Sequence, residues 1–289
     1  MDAASDLAKD VVTRSIRFVV RQTPPRGRGI NLAHTWTRLN PPDDRQFVSL
    51  EPGGARLRCD LRDELSRVVY YRGWVDRDLE AWMVGWLRPG DLYVDVGAHI
   101  GYLAALAANV VGRSGRVVAF EPSPDTYAKL SAAFIASSFP HVRAVHAAVA
   151  DKAGHTVLFA ASGAWQDQAY RNSLHPGDGL VPTSEVEVVT LDEELGDARV
   201  RLLKVDVEGG ELAVLSGTRR LLSDRRADAL VVELNPPALA RAGATVSNLV
   251  GQLQGSGYDA HRIIEGGRLQ RWEPVVVEGE FADAVFLPR

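Results

Sequence analysis

The clearest structural signal in the chain is an apolar run that ends in a glycine-rich turn, Leu92-Tyr-Val-Asp-Val-Gly-Ala-His-Ile-Gly-Tyr102. The run Leu92–Val96 has the length and composition of a buried strand. Glycines after it allow a tight turn and a close approach of the backbone to a ligand. Tyr102–Val111 is apolar enough for a helix, and Gly112-Arg-Ser-Gly115 ends it. The stretch therefore predicts a strand, a turn and a helix in succession.

Short apolar runs of the kind buried in parallel sheets recur downstream. They are Arg116–Phe120, Val142–His146, Arg201–Val205 and Ala229–Glu233. Helical patterns lie between them at Pro124–Ser137, Gly210–Leu222 and Ala244–Gly255. Strands and helices that alternate at this spacing predict right-handed βαβ units and an open α/β sheet.

Further elements flank this alternation on both sides. An apolar stripe at helical spacing precedes the first strand, and its members are Leu79, Trp82, Met83, Trp86 and Leu87. Asp76 is placed to cap this helix and Pro89-Gly90 to stop it, and we expect its tryptophans in the core. Tyr258–Ile264 and Phe281–Leu287 have strand composition with no helical pattern between them. They predict an antiparallel hairpin at one edge of the sheet.

The first part of the chain has a weaker pattern. A short helix is predicted at Lys9–Val20, with Val12, Ile16, Val19 and Val20 on its apolar side, and proline pairs interrupt the sequence after it. We therefore assign residues 1–72 to a helical or irregular N-terminal extension and residues 73–289 to the α/β domain. The extension is expected to pack on that domain, to form a homodimer or to cover the substrate.

Composition excludes several classes of protein. The chain has 33 Lys and Arg against 37 Asp and Glu, so no global positive field attracts nucleic acid or an anionic membrane. The chain has a single cysteine, Cys59, so it cannot form an internal disulfide. It has no cluster of histidines that would form a metal site with this cysteine. No secretory signal is evident, and no apolar run approaches the roughly 20 residues that span a bilayer. We expect a cytoplasmic protein without a membrane or nucleic-acid partner.

Two carboxylates accompany the glycine-rich turn. Asp95 lies at the end of the first strand and Glu121 closes the second. A carboxylate at the end of the second strand typically holds a ribose diol. Ligands of open α/β sheets bind there, beyond the carboxyl ends of the strands. The pattern Asp-x-Gly-Ala-x-x-Gly differs from the GxGxxG turn of dinucleotide dehydrogenases. It favours S-adenosylmethionine, whose amino-acid end needs an acidic partner for its ammonium and backbone donors for its carboxylate.

A second group of charged residues ends a central strand, in Leu203-Lys-Val-Asp-Val-Glu-Gly-Gly-Glu211. Charges on a buried strand are costly unless they are paired or used. Lys204 either pairs with a neighbouring carboxylate such as Glu233 or acts in the site. Asp206 is expected nearest the pocket. The long segment Ala160–Ser184 between two further strands, Thr156–Phe159 and Glu185–Val189, is either functional or a disordered insertion.

The order of these motifs resembles that of FkbM-type S-adenosylmethionine-dependent methyltransferases, from about Gly73 to Leu287. The motifs are Gly90 to Tyr102, Phe120-Glu-Pro-Ser123, Ala147-Ala-Val-Ala-Asp151, Thr190-Leu-Asp192 and Leu203 to Leu212. The resemblance implies a Rossmann-like class I methyltransferase fold in residues 73–289. That fold has a mostly parallel, seven-stranded sheet with the antiparallel hairpin at its C-terminal edge.

The resemblance also implies the residues of the site. Those that would bind S-adenosylmethionine are Asp95, Gly97, Ala98, His99, Gly101 and Tyr102 at the methionine part, Glu121 at the ribose, Pro122, Ser123, Ala148 and Val149 at the adenine, and Asp206. Those that would face the acceptor are Asn172, Ser173 and Glu233. Asp206 is the first choice of base, Glu208 the second and His175 the third.

The implied activity is O-methylation of a hydroxyl on a small secondary metabolite or sugar, as in natural-product and antibiotic biosynthesis. An N-methyltransferase that acts on an aminosugar or another amine is the main alternative, because the cofactor motifs are the same for both. A non-catalytic module that only binds S-adenosylmethionine is a remoter one. Mg²⁺ held by Asp206 and Glu233 is a further variant that we do not expect, since no dense carboxylate cluster demands it.

Overall fold

The structure is a computed structural model that describes residues 3–22, 30–40, 46–49, 55–161, 172–273 and 281–289. The helices are α1 Ala3–Gln22, α2 Ile30–Leu39, α3 Glu64–Arg72, α4 Arg77–Trp86, α5 Tyr102–Val111, α6 Pro124–Ala136, α7 Leu191–Leu195, α8 Glu211–Ser216, α9 Arg219–Ser223, α10 Pro236–Arg241 and α11 Val246–Gly255. The strands are β1 Gln46–Ser49, β2 Arg56–Cys59, β3 Leu92–Val96, β4 Arg116–Phe120, β5 Val142–Val145, β6 Ala148–Val149, β7 Gly154–Ala161, β8 Leu180–Val189, β9 Leu202–Val205, β10 Leu230–Leu234, β11 Tyr258–Ile264, β12 Arg268–Arg271 and β13 Ala282–Pro288.

One large sheet organises the fold, with the strand order β12-β11-β13-β10-β9-β3-β4-β5. The five strands from β10 to β5 are parallel to their neighbours, and β13 is antiparallel to both β10 and β11. The predicted Rossmann-like class I fold is confirmed. The sheet has eight strands rather than seven, because the polar segment β12 pairs with β11 at the edge and its composition gave no strand signal.

Side chains alternate between the two faces of the central strands, and each face has its own hydrophobic cluster. Tyr93 and Leu202 belong to the cluster under α4 and α5, whereas Val94 and Leu203 belong to the cluster on the opposite face. This period of two is the geometry of a strand buried on both sides. It follows that Asp95, two residues after Tyr93, lies on the same face as Tyr93.

Helix boundaries differ from the predictions where backbones pack closely. The predicted helix Gly210–Leu222 is divided into α8 and α9 near Gly217, where the backbone lies so close to the carbonyl oxygen of Ala150 that a side chain would overlap it. Helix α10 was not predicted, since six residues are too few for a periodic pattern. The capping role of Asp76 is confirmed: its Oδ1 accepts the N–H groups of Asp78 and Leu79, at 2.9 and 3.0 Å.

The N-terminal segment is more helical than its sequence indicated. The predicted helix Lys9–Val20 extends over all of α1, and α2 and α3 follow it. Its predicted apolar face is confirmed only in part: Val20 is buried and Ile16 packs against the core, whereas Val12 and Val19 are exposed and the polar Thr13 is buried. Val20 and Ile30 join the same hydrophobic cluster as Tyr93, so the segment packs on the α/β domain. None of the described helices combines the length and apolarity needed to cross a membrane.

A small second sheet, with the order β6-β8-β7, lies beside the large one. It takes up both ends of the segment Ala160–Ser184, because β7 runs to Ala161 and β8 begins at Leu180. The predicted strands on either side are therefore longer than expected. Trp165, Tyr170 and Arg171 of this segment lie outside the described residues.

Candidate active site

A cavity of about 760 Å³ opens at the carboxyl ends of β3, β4, β9 and β10. It collects most of the predicted site residues. These are Asp95, Gly97, Ala98, His99, Tyr102, Glu121, Pro122, Ala148, Val149, Asn172, Ser173, Asp206, Glu208 and Glu233. Three predicted residues, Gly101, Ser123 and His175, are not among those that line it. Parallel strands end at one edge, which explains why motifs more than 100 residues apart meet there.

The two glycines of the turn serve different contacts. Gly97 has φ +83°, and a side chain on it would overlap the carbonyl oxygen of Asp206. Gly101 also has φ +83°, but its added Cβ would lie 2.5 Å from Cδ1 of Leu130 on α6. Gly97 therefore allows the two strand ends to approach each other beside the cavity. Gly101 allows α5 to pack against α6.

Glu121 holds the turn to the end of β4. Its Oε2 accepts the N–H of His99 and its Oε1 accepts the N–H of Ser123, each at 2.9 Å. Burial raises the pKa of Glu121 to about 7, although these two bonds act in the opposite direction. Each carboxyl oxygen still has a second lone pair toward the cavity, as a ribose diol requires.

His99 and Tyr102 connect the turn to the preceding segment. His99 has φ +51°, and its Nε2 lies 3.8 Å from Oδ1 of Asp63. Burial lowers the pKa of His99. The hydroxyl of Tyr102 donates to Oε1 of Glu80 at 2.8 Å. The Tyr102 hydroxyl thus has a partner in the protein, whereas Nδ1 of His99 is buried without a hydrogen-bond partner among the described residues; both residues line the cavity.

Lys204 lies between two carboxylates. Its Nζ donates to Oδ2 of Asp206 at 2.9 Å and lies 3.9 Å from Oδ1 of Asp95. The predicted pairing with Glu233 is wrong, because Lys204 is in register with Asp95 on β3 and with Val231 on β10, two residues before Glu233. Burial lowers the pKa of Lys204, but the carboxylates of Asp206 and Asp95 outweigh it and hold the pKa above its usual value.

Asp95 keeps an unsatisfied oxygen. The residue is 1% exposed, and its Oδ1 has no hydrogen-bond partner among the described residues. Burial raises the pKa of Asp95, and Lys204 opposes that shift. A buried carboxylate oxygen that lines a cavity and lacks a donor fits a cationic group such as an ammonium.

Asp283 is a site residue that the sequence analysis missed. It is the register partner of Glu233 on the antiparallel strand β13, and both residues line the cavity. Neither has a basic side chain within 4 Å among the described residues. Burial raises the pKa of Glu233 to about 9 and that of Asp283 to about 6, and nearby carboxylates such as Asp206 add to both shifts. The available signal was an aspartate inside the apolar run at Phe281–Leu287.

Glu208 adopts φ +54° and is fixed from two directions. Ser173 donates its hydroxyl to the Glu208 carbonyl at 3.1 Å, and Arg241 lies 3.9 Å from the Glu208 carboxylate. The backbone N–H of His175 donates to the Ser173 hydroxyl at 3.1 Å. Ser173 is 2% exposed, so its hydroxyl is used to hold Glu208 in place rather than presented to a ligand.

The N-terminal segment supplies one wall of the cavity. Helix α3 contributes Glu64, Leu65, Val68 and Arg72, and the following residues add Val75, Asp76 and Leu79. None of these was predicted as a site residue from the sequence, because those on α3 lie in a segment that lacks a strong period and Asp76 and Leu79 were interpreted as a helix cap and a core residue.

No group of three or more His, Cys, Asp or Glu residues in the described part of the chain is arranged to hold a metal ion. One oxygen of Asp206, a predicted Mg²⁺ ligand, already accepts from Lys204.

Replacing Glu233 by Gln should change the pH dependence of stability. The pKa of Glu233 is about 9 in the folded protein, against a usual value of 4.5. Between these two pH values the Glu233 carboxyl is ionised in the unfolded state and protonated in the folded state. The free energy of unfolding of wild type therefore falls as pH rises, by up to about 1.4 kcal/mol per pH unit. We expect Glu233→Gln to match wild type near pH 5 and to be more stable near pH 9 in urea titrations.

The exposed Glu187 on β8 provides a matched control. Glu187→Gln removes the same charge far from the cavity, and its stability should follow that of wild type across the range. Parallel profiles for Glu233→Gln and wild type from pH 5 to pH 9 would contradict the assignment of a neutral Glu233.

The fold and the cavity together define a class I S-adenosylmethionine-dependent methyltransferase architecture. The cavity brings together the carboxyl groups of Asp95 and Glu121, the glycine-rich turn and the apolar residues Ala148 and Val149. Residues 95–280 match the methyltransferase FkbM domain, which is nearly two thirds of the chain. The chain belongs to this family, and its cofactor is S-adenosylmethionine.

Two characterised relatives are similar in sequence. The 31-O-demethyl-FK506 methyltransferase FkbM of Streptomyces tacrolimicus is 33% identical over 159 residues, which is 45% of this chain and 60% of that protein. The hexuronic acid methyltransferase AglP of Haloferax volcanii is 26% identical over 200 residues, which is 65% of this chain and 74% of that protein. The match to the first relative thus spans less than two thirds of its length.

Solved structures with a similar fold include other methyltransferases. An S-adenosylmethionine-dependent O-methyltransferase from Thermotoga maritima has a TM-score of 0.43 at 13% identity, covering 88% of this chain and 81% of that one. Fibrillarin from Aeropyrum pernix, with natively bound S-adenosyl-L-methionine, has a TM-score of 0.40 at 12% identity, covering 73% of this chain and 74% of that one.

Proposed function

We propose that the protein is an S-adenosylmethionine-dependent O-methyltransferase that methylates a hydroxyl of a small secondary metabolite or sugar in natural-product biosynthesis. The observation that carries this proposal is a cavity lined both by residues expected to bind the cofactor and by carboxyl groups that can face an acceptor. Asp95, Glu121 and Val149 belong to the first set, and Asp206 and Glu233 to the second. The relatives that are named for methylation of a demethyl-FK506 and of a hexuronic acid support this class of acceptor.

The chain's own residues must orient the acceptor and remove its proton. When bound, S-adenosylmethionine supplies an activated methyl group on a sulfonium. Asp206 lines the cavity with a side chain that is 35% exposed, and Lys204 fixes one of its oxygens. The other oxygen can accept the proton of an acceptor hydroxyl, since an alcohol is a weak nucleophile at neutral pH. Glu208 is the second choice of base, and His175, which does not line the cavity, is the third.

The function is tested with the purified full chain and S-adenosylmethionine. We expect S-adenosylhomocysteine to form with at least one hydroxylated acceptor from a panel of neutral sugars, uronic acids and macrolide alcohols, with the methyl group on oxygen in the product NMR spectrum. Isothermal titration with S-adenosylhomocysteine serves as a separate measure of cofactor binding. Binding without turnover on any acceptor would favour the non-catalytic module, and the absence of binding would overturn the proposal.

An amine acceptor is the second candidate. The observation that favours it is the pair Glu233 and Asp283, two cavity carboxyls without a basic partner among the described residues. A carboxylate in such a position can bind an ammonium group or accept its proton. Matched aminosugars and deoxysugars in the same assay separate the two functions, because the product carries the new methyl on nitrogen or on oxygen.

We also propose that two chains associate through the N-terminal helices in the cytoplasm. Exposed apolar side chains on α1 and α2 support this proposal: Val11, Phe18, Leu32 and Leu39 are each more than half exposed. Apolar side chains clustered on one surface are typical of interfaces. Light scattering should give the mass of a dimer for the full chain and of a monomer for a Phe18→Ser, Leu39→Ser double variant.

A further inference from the structure

Four N–H groups of the glycine-rich turn are already used within the protein. Those of Gly97 and Ala98 donate to the carbonyl of Phe120, at 3.1 and 2.9 Å. The N–H of His99 donates to Glu121, and that of Gly101 donates to the Ala98 carbonyl at 2.9 Å. The sequence favoured backbone donors here for the carboxylate at the amino-acid end of the cofactor. Because these four groups are engaged, a basic side chain that lines the cavity is the next donor to consider for this anion.

Arg72 is the cavity's unused cation. Three lysine or arginine residues line the cavity within the described ranges, namely Arg72, Lys204 and Arg241. Lys204 has carboxylate partners in Asp206 and Asp95, and Arg241 has one in Glu208. No carboxylate of the described residues lies within 4 Å of the Arg72 guanidinium. Its Nε is buried without a hydrogen-bond partner in the same part of the chain.

A contact with Trp74 restrains the Arg72 guanidinium. Its Cζ lies 5.2 Å from the ring centroid of Trp74, in a cation–π contact. The carbonyl oxygen of the next residue, Gly73, lies 3.4 Å from the hydroxyl of Tyr102, which donates to Glu80. Tyr102 is the first residue of α5 and directly follows the glycine-rich turn. The end of α3 is therefore in contact with the first residue of α5, and Arg72 and Asp95 line the same cavity.

Asp95 and Arg72 complement a zwitterion. The Asp95 Oδ1 is buried, accepts no hydrogen bond and lies 3.9 Å from the Lys204 ammonium, and the Arg72 guanidinium lines the same cavity with no carboxylate within 4 Å among the described residues. An α-amino acid carries an ammonium and a carboxylate that complement these two groups. Arginine presents a planar fork of donors that matches a carboxylate in a bidentate geometry. Arg72 precedes residues 95–280, so it belongs to the chain's own N-terminal segment rather than to the matched domain.

We propose that Arg72 binds the carboxylate of the amino-acid end of S-adenosylmethionine while Asp95 binds its ammonium. The proposal rests on the proposed function, since it assigns a residue to the same cofactor. It also gives the N-terminal segment a direct part in cofactor binding, because α3 must be in place before the carboxylate has its partner.

The test is isothermal titration of the full chain with two ligands. S-adenosylhomocysteine carries the amino-acid end, and 5′-methylthioadenosine lacks it. Arg72→Gln should weaken binding of S-adenosylhomocysteine by about 10- to 100-fold, as expected for the loss of a charge-assisted hydrogen-bonded pair. It should leave binding of 5′-methylthioadenosine within about twofold of wild type. Arg72→Lys keeps the charge but loses the planar guanidinium. Its affinity for S-adenosylhomocysteine should lie between those of wild type and Arg72→Gln.

Arg77 offers a matched control. Its Cζ stacks on the same Trp74 ring at 4.8 Å, yet it does not line the cavity. Arg77→Gln makes the same change in charge and should leave both affinities unchanged. Equal weakening of both ligands by Arg72→Gln would overturn the proposal and indicate a structural role. Unchanged binding of S-adenosylhomocysteine would overturn it as well. Failure of wild type to bind S-adenosylhomocysteine would instead count against the proposed function.

Discussion

Asp206→Asn is expected to lower kcat by about 100- to 10,000-fold, the usual contribution of a general base. Asparagine fills the same volume and can still accept a hydrogen bond from Lys204, so the strand end should keep its shape. It cannot take a proton from an acceptor hydroxyl. Titration with S-adenosylhomocysteine should therefore give an affinity within a few-fold of wild type, while the single-turnover rate falls.

Asp151 serves as the control for this substitution, because it is exposed and does not line the cavity, so that its replacement by Asn makes the same chemical change elsewhere. Asp151→Asn should retain wild-type turnover. If Asp206→Asn keeps turnover within about threefold of wild type, Asp206 is not the base. Glu208→Gln and Asp283→Asn would then be compared in the same assay. Asp283 joins this comparison because burial and Asp206 raise its pKa to about 6, which is close to the operating range of a base.

Gly97→Ala is expected to destabilise the protein by about 2–5 kcal/mol and to abolish cofactor binding. The positive φ of +83° costs an L-residue about 1–2 kcal/mol. Overpacking typically adds about 1–3 kcal/mol. The new Cβ would overlap the carbonyl oxygen of Asp206, which is backbone and cannot rotate away as a side chain could. Separation of the ends of β3 and β9 would displace both Asp95 and Asp206. Urea unfolding and titration with S-adenosylhomocysteine measure the two effects.

Gly251→Ala is the matched control. Gly251 lies within α11, and a Cβ built on it would meet nothing within 4 Å. Alanine should stabilise this helix by about 0.5–1 kcal/mol, since glycine loses more backbone entropy on folding. A Gly97→Ala variant as stable as wild type, with normal affinity for S-adenosylhomocysteine, would show that the strand ends can separate without cost.

The local sequence pattern was sufficient to predict the strand and the helix on either side of the glycine-rich turn. Strand β3 and helix α5 have the predicted bounds, since an apolar run and a helical pattern need only their own residues to be recognised. Glu121 and Asp206 fall at strand ends for the same reason. The rule that parallel strands end at one edge then places them at one cavity.

Contacts across the sheet could not be read from the sequence. Lys204 pairs with Asp206 and Asp95 rather than with Glu233, because the relative register of β3, β9 and β10 decides which charges meet. A single-residue difference in register is invisible in composition. The position of Asp283 also depends on the pairing of strands. Strand β13 lies between β10 and β11, and its register with β10 places Asp283 opposite Glu233.

The sequence by itself determined the class of fold, the family and the residues of the strand ends, because those depend on periodicity and on short motifs. Only the tertiary structure decided which charged groups are paired and which are left for a ligand. Within the described residues it left Arg72 without a carboxylate partner, and it used four N–H groups of the glycine-rich turn internally. The physical reason is that hydrogen bonds and ion pairs depend on distances of a few ångströms between segments far apart in the chain.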